Sequence, residues 1–526
     1  MNKYLAFFIF FISFHLVSAA QLPFSLIDVQ HYQYNLSVND DNNSIKGNAT
    51  ITFVSRADAA QVIFNLIKKA ASGKGMLVSS VLKNNQPVVF SQDSDHVILN
   101  MPVRKGEQYD VTIAYAGIPA NGFIISTNKF GKRTFFSDNW PNRAQHWIPC
   151  NDHPSDKSSV EFIVTAPDHY QVVASGLQVE ETNLPNHLKL THWKEDVAIS
   201  TKIYALGIAD FAVNYVGNVE CIPVYSWIYP QQKERGFKDY ALAQKILPWY
   251  IKHVGPYEYK KLANIQSKTI FGGVENAGTI FYFENSVGDK HIESLLAHEI
   301  AHQWFGDAAS ETDWPHLWLS EGFATYMTHM YLEEKYGTDS LRKRMEKDRD
   351  DVVRLSKDKH TPVVDTIGSK EPMTLLNANS YQKGGWVLHM LRNKLGDSFF
   401  WQSIRTYYAT YAGKNAATED LKVIFEKVSG QNLHDFFQQW LYTTGQPELQ
   451  ITWKYNAAKK SVLVNVKQLQ TTSFSFPLEI LIGDKKINLE ISERNTSNEI
   501  AVDKAPQTIV PDPDVKLLYH ATVSRD

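Results

Sequence analysis

The chain has 526 residues, too many for one hydrophobic core, so two to four domains are expected. Its composition, 43% hydrophobic and 21% charged with 12 Trp and 25 Tyr, excludes a disordered chain. The formal net charge of −3 carries no general affinity for polyanions and argues against nucleic acid as a partner.

In chain order, residues 1–20 read as a targeting segment. Lys3 opens it, Leu5 to Val17 is an apolar run too short to span a bilayer, and Val17-Ser18-Ala19 or Ser18-Ala19-Ala20 gives the small-residue cleavage pattern. The alternative is an uncleaved anchor. No later stretch has the length and apolarity of a span, so the mature protein is expected to be exported, periplasmic or secreted, with no membrane span after signal removal.

Residues 21–215 read as a β-rich domain. Tyr32, Tyr34, Leu36 and Val38 alternate with polar residues, as do Ala49, Ile51 and Phe53, then Val111, Ile113 and Tyr115. Asn35-Leu36-Ser37 and Asn48-Ala49-Thr50 fit the glycosylation sequon, which has meaning only in a host that uses it. Cys150 and Cys221 could pair in an oxidising compartment or stay as buried free thiols; two cysteines do not staple a chain this long.

Residues 216–445 change to helical periodicity. Phe237 to His253 is amphipathic, with Pro248 as a kink, and a strand is expected through Thr269-Ile270-Phe271. The charged stretch 338–360 reads as a solvated helix face. Helices are expected over Glu419 to Val428, stopped near Ser429-Gly430, and over Leu433 to Tyr442. Residues 446–526 return to alternation at Leu449, Ile451 and Trp453, at Val462, Val464 and Val466, and at Leu478, Ile480 and Ile482, turned by Gly483-Asp484 into Ile487, Leu489 and Ile491.

The chemistry sits in His298-Glu299-Ile300-Ala301-His302. On a helix, positions i and i+4 share a face, so both imidazoles can grip one Zn2+ while Glu299 reaches a water beside it. Glu321, in a second helical stretch from Trp318 to Tyr326, is the candidate third ligand. With 18 histidines the motif alone could be two solvated residues on a surface helix. However, Leu295, Leu296, Ile300, Ala301, Trp304 and Phe305 make the helix apolar on most sides and therefore buried, where imidazoles and a carboxylate need a partner such as a metal. Zinc with an open position, beside a carboxylate base, points to hydrolysis of an amide or ester.

The chain resembles the gluzincin aminopeptidases typified by aminopeptidase N, a family that also contains a leukotriene epoxide hydrolase. The resemblance covers nearly the whole mature chain. It rests on His298-Glu299-Ile300-Ala301-His302-Gln303-Trp304-Phe305-Gly306, on Ser320-Glu321-Gly322-Phe323-Ala324, on Gly272-Gly273-Val274-Glu275-Asn276 (similar to Gly-Ala-Met-Glu-Asn) and on Tyr381-Gln382-Lys383-Gly384 (similar to Tyr-x-Lys-Gly). It implies a multidomain α+β architecture: a β-rich, saddle-like N-terminal domain, a thermolysin-like α/β catalytic domain and a small C-terminal β-sandwich, with the active site between the first two. It also implies one Zn2+ per chain on His298, His302 and Glu321, Glu299 as base and Tyr381 as oxyanion donor. Gly272, Gly273, Glu275 and Asn276 would bind peptide substrates with a free N-terminus, Glu275 taking the α-amino group.

Left to themselves, Glu275 could be a surface charge, Gly272-Gly273 a turn and Tyr381 a half-buried tyrosine. Departures from the family are Ser320 where Asn is usual, Gly273-Val274 in the exopeptidase motif, and Ser137-Asp138-Asn139-Trp140 where a Gln-x-Glu would help to hold the amine; Asp138 is the candidate substitute. His146 and His153 nearby read as packing or turn residues. The family's large helical C-terminal domain is not recognisable, from which a more open cleft is expected. The rival functions are an epoxide hydrolase and a non-catalytic scaffold on the same fold.

Overall fold

A computed structural model describes residues 26–526; the expected targeting segment lies outside them. The N-terminal region is built on an eight-stranded sheet. Its order is Leu177–Leu184, Leu188–Ser200, Lys157–Pro167, Ile27–Ser37, Ile45–Ser55, Gln108–Ile118, Gly75–Lys83, Gln86–Pro87. Neighbours are antiparallel except Ile27–Ser37 with Lys157–Pro167, which run parallel. The alternation read from the sequence has a physical counterpart: Tyr32, Tyr34, Leu36, Ala49, Ile51, Phe53, Val111 and Ile113 are buried, and the residues between them are partly or fully exposed. Smaller sheets of four and three strands complete the domain. Both cysteines are free: Cys150 is buried as a small hydrophobe, but Cys221 is exposed in a turn rather than packed inside.

The next sheet has five strands in the order Ala212–Val219, Ile222–Ile228, Leu262–Ser267, Thr279–Phe283, Gly273–Val274. Its three middle strands are parallel; both edges are antiparallel. Ala212–Val219, which runs through the expected boundary at 215, pairs with Ile222–Ile228 in this sheet. The expected strand through Thr269-Ile270-Phe271 is instead a bend between Leu262–Ser267 and the edge strand Gly273–Val274.

One face of this sheet (Ala263, Ile265, Val274, Phe281) joins the N-terminal core, and the other (Leu262, Ile280, Tyr282) joins the core of the helices. Those helices are α1 (Lys233–Tyr240), α2 (Ala243–His253), α3 (Ile292–His302), α4 (Trp318–Tyr336), α5 (Thr338–Asp358), α6 (Gly384–Leu395), α7 (Asp397–Tyr411) and α8 (Thr418–Ser429). The single helix expected over 237–253 is thus two, with Pro248 inside the second. The charged stretch is α5, which buries only Leu341, Met345, Asp348 and Val352. Helix α8 stops at Gly430, whose φ of 70° suits a left-handed cap.

The C-terminal region packs a four-stranded sheet (Asn495–Ala501, Ser461–Gln468, Glu448–Asn456, His520–Arg525) on a three-stranded one (Lys485–Ile491, Phe476–Ile482, Ile509–Pro511). Its inward residues, including Ile451, Trp453, Val464 and Ile480, are continuous with the core of the helical domain. No helix among the described residues is long and apolar enough to cross a membrane.

Candidate metal centre and cleft

The side chains of α3 and α4 meet end to end. His298 Nε2 and His302 Nε2 are 3.2 Å apart, and Glu321 Oε2 is 3.4 and 3.2 Å from them. His302 Nδ1 lies 3.1 Å from the Phe305 carbonyl, which can only accept, so Nδ1 carries a hydrogen and Nε2 is the nitrogen turned to the cluster. Ser320 supports the same ring, its Oγ 3.1 Å from Nδ1. The close turn at Gly306, φ 114°, makes room for this contact: a Cβ there would sit 2.2 Å from Ser320 Oγ.

The donor set fits a zinc ion. Two imidazole nitrogens and a carboxylate converge, the three ligand atoms lie within 4.8 Å of one another, and Glu321 Oε2 is buried with no hydrogen-bond partner. Among the described residues this is the single group of three or more His, Cys, Asp or Glu side chains so arranged. The electrostatics also call for a cation. Burial, together with Glu275 and Glu321 and against the opposing pull of His302, raises the Glu299 carboxyl to about 8. At His302 burial opposes the charged ring, yet Glu321, Glu275 and Glu299 together lift it to about 10. Three acids around two imidazoles are thus short of positive charge.

Glu299 faces the edge strand. A Cβ at Gly273 would lie 2.3 Å from Glu299 Oε1, so a glycine lets backbone and base approach this closely. Gly272 is open by comparison, with only a Leu295 methyl at 3.9 Å from such a Cβ. Glu275 is 6% exposed, and its Oε1 has no partner. Burial raises its pKa, with His302 acting the other way.

A residue that sequence reading passed over fixes this strand to α3. Gln303 Nε2 donates to the Glu275 carbonyl at 2.7 Å and to Asp307 Oδ2 at 2.9 Å, and its Oε1 accepts the Gly278 N–H at 2.7 Å. Its place directly after His302 was the available signal. Lys202 and Glu311, a fully buried ion pair between the N-terminal and helical regions, have no sequence signature at all.

Tyr381 lies in a π-helical turn, Asn379–Lys383, just before α6. Its ring stacks on His298 with centroids 6.1 Å apart, and burial together with Glu321 raises its phenol well above the usual range. The turn reaches the metal ligands because α4 and α6 touch through glycines: a Cβ on Gly322 would be 2.8 Å from Gly384 Cα.

Two expected substrate residues are placed differently. Asn276 is completely buried, with neither amide atom partnered, and offers no surface to a substrate. Asp138 is also completely buried; Arg143, the Ile270 N–H and the Thr269 hydroxyl occupy its carboxylate, so it is not free to take an amine. His153 sits in a turn, its Nδ1 2.7 Å from Ser155 Oγ, and His146 is half-buried against the N-terminal core.

Two family models and a set of curated relatives match this chain. The family model for the peptidase M1 N-terminal domain matches residues 28–203, and that for the peptidase family M1 domain matches residues 239–440. A probable aminopeptidase 2 of Sulfurisphaera tokodaii is 28% identical over 384 residues, covering 68% of this chain and 48% of its own. Aminopeptidase M1-C of rice is 27% identical over 327 residues, 59% of this chain and 37% of its own. A glutamyl aminopeptidase of Bitis rhinoceros is 26% identical over 432 residues, 77% of this chain and 44% of its own. The chain spans less than half the length of these curated relatives.

Proposed function

The chain belongs to the M1 peptidase family, and on that premise we propose that it is a zinc aminopeptidase, removing the first residue of peptides that carry a free amino terminus. The observation that carries this reading is the unpartnered, buried oxygen of Glu275 beside the His298, His302 and Glu321 cluster. A buried carboxylate without a donor is costly, and a substrate ammonium supplies one. That anchor restricts cleavage to the first peptide bond.

His298, His302 and Glu321 would hold the ion, which when bound supplies a Lewis acid that acidifies water and polarises a carbonyl oxygen. Glu299 takes a proton from the attacking water on its carboxylate and returns it to the leaving amine. Tyr381 donates its phenolic hydrogen bond to the oxyanion. The open edge of Gly273–Val274, paired on its other side with Thr279–Phe283, accepts the substrate backbone as an added strand. The apolar run of residues 5–17 supports export of the mature chain.

The test is hydrolysis of aminoacyl anilides and their N-acetylated forms, with and without a zinc chelator. Cleavage of the free-amine forms alone, abolished by chelator, is expected. Equal cleavage of blocked substrates would overturn the exopeptidase reading, and activity that survives complete zinc removal would overturn the metal.

A further inference from the structure

The edge strand that carries the amine anchor has little pairing of its own. Gly273 and Val274 face only Tyr282 and Phe281; beyond that pairing, the Phe283 N–H donates to the Gly272 carbonyl at 3.0 Å, and Gln303 Nε2 holds the Glu275 carbonyl at 2.7 Å. A strand of two residues does not fix its own position. The bend that leads into it, 269–271, is held residue by residue from the N-terminal domain. Asp138 Oδ2 accepts the Thr269 hydroxyl at 3.2 Å and the Ile270 N–H at 3.0 Å. Its other oxygen pairs with Arg143, whose guanidinium lies 5.4 Å from the Phe271 ring centroid. Arg143 is fixed in turn, its Nε donating to the Trp140 carbonyl at 2.6 Å, and Trp140 packs edge-on to Phe271 at 6.1 Å.

We propose that Asp138, with Arg143, is a positioning residue that sets the Gly272–Glu275 edge, and so the amine anchor, against the metal centre. This rests on the aminopeptidase reading. An aspartate suits the task because an ionised acceptor makes stronger bonds to N–H and O–H groups than a neutral one, and a buried aspartate must be balanced by a cation such as Arg143. The hydrogen bonds of Asp138 and Arg143 run to the bend, to Trp140 and to Asn121, not to His298, His302 or Glu321, so the clamp acts first on the amine end of the cleft. A shift of roughly 1 Å in the bend moves Glu275 relative to the scissile bond, which is enough to weaken productive binding.

The experiment compares zinc-loaded wild-type protein with Asp138→Asn and Thr269→Val, using aminoacyl anilides and their N-acetylated forms. Asp138→Asn should raise KM for free-amine substrates about tenfold, leave kcat within about threefold, and reduce the preference for a free amine by the same factor as KM. One zinc per chain should be retained. A wild-type KM, or loss of zinc in step with activity, would overturn the clamp. Because the asparagine leaves Arg143 buried without its counter-charge and can unfold the chain, Thr269→Val decides in that case. It removes only the hydroxyl that donates to Asp138 and accepts the Phe271 N–H at 3.2 Å. A KM raised about threefold with unchanged zinc and melting temperature supports the clamp, and a wild-type KM overturns it. A wild type that cleaves no aminoacyl anilide removes the underlying reading; an active wild type with unaffected variants removes only the clamp.

Discussion

The two ends of the cleft are built by different means. The metal end is made of α3 and α4, two buried helices whose candidate ligands are set by turn spacing, with α6 packed closely on α4 through Gly384 and Gly322. The amine end is an edge strand of two residues, held by Gln303 on one side and by the Asp138–Arg143 pair on the other. A helix carries its own geometry in its backbone bonds; a short edge strand takes its geometry from its neighbours. Substitutions at the first end should therefore damage chemistry, and substitutions at the second should damage binding and selectivity.

The largest effect should come from Glu299→Gln, which keeps the shape of the side chain and removes the base. A fall in kcat of about three to four orders of magnitude is expected, with zinc retained by elemental analysis. Retained turnover would move the base elsewhere and blur the contrast between the ends. Tyr381→Phe comes next. Removal of an oxyanion donor costs about 3 to 4 kcal/mol, a loss in kcat of roughly two to three orders of magnitude with little change in KM. A pure KM effect would make Tyr381 part of the binding end.

Glu275→Gln should lower kcat/KM for free-amine anilides by about ten- to a hundredfold, erase the preference over N-acetyl substrates and leave zinc in place. An unchanged preference would remove Glu275 as the anchor. The smallest effect should come from Gly322→Ala, which forces a methyl against Gly384. A loss of about 1 to 3 kcal/mol is expected in denaturant unfolding, the size typical of overpacking, with kcat falling more than KM rises because Tyr381 is displaced from the metal ligands. A larger change in KM than in kcat would break the division between the two ends.

Reading the sequence succeeded where structure is local. The i, i+4 spacing of His298 and His302 places both rings on one face whatever surrounds the helix, and the alternation at Tyr32, Tyr34 and Leu36 places three side chains in one core. It failed where position depends on segments far apart in the chain. Thr269-Ile270-Phe271 carries β-forming residues yet bends, because an aspartate 132 residues upstream takes the Ile270 N–H that a strand would have shared with a neighbour. Asp138 itself looked like a spare carboxylate for the amine, and only its contacts with Arg143, Thr269 and Ile270 show that its oxygens are spoken for.

The sequence by itself thus determined the shared face of His298 and His302, the order of the β, helical and β regions and the residue types of the cleft, since periodicity and motif spacing are properties of short segments. The tertiary structure alone decided which carboxylates remain without partners, which glycine lies against Glu299 and what holds the Glu275 carbonyl and the 269–271 bend. Those depend on contacts between separate segments of the chain, 28 positions apart for Gln303 with Glu275 and 132 for Ile270 with Asp138, and such contacts are fixed only when sheets and helices pack into common cores.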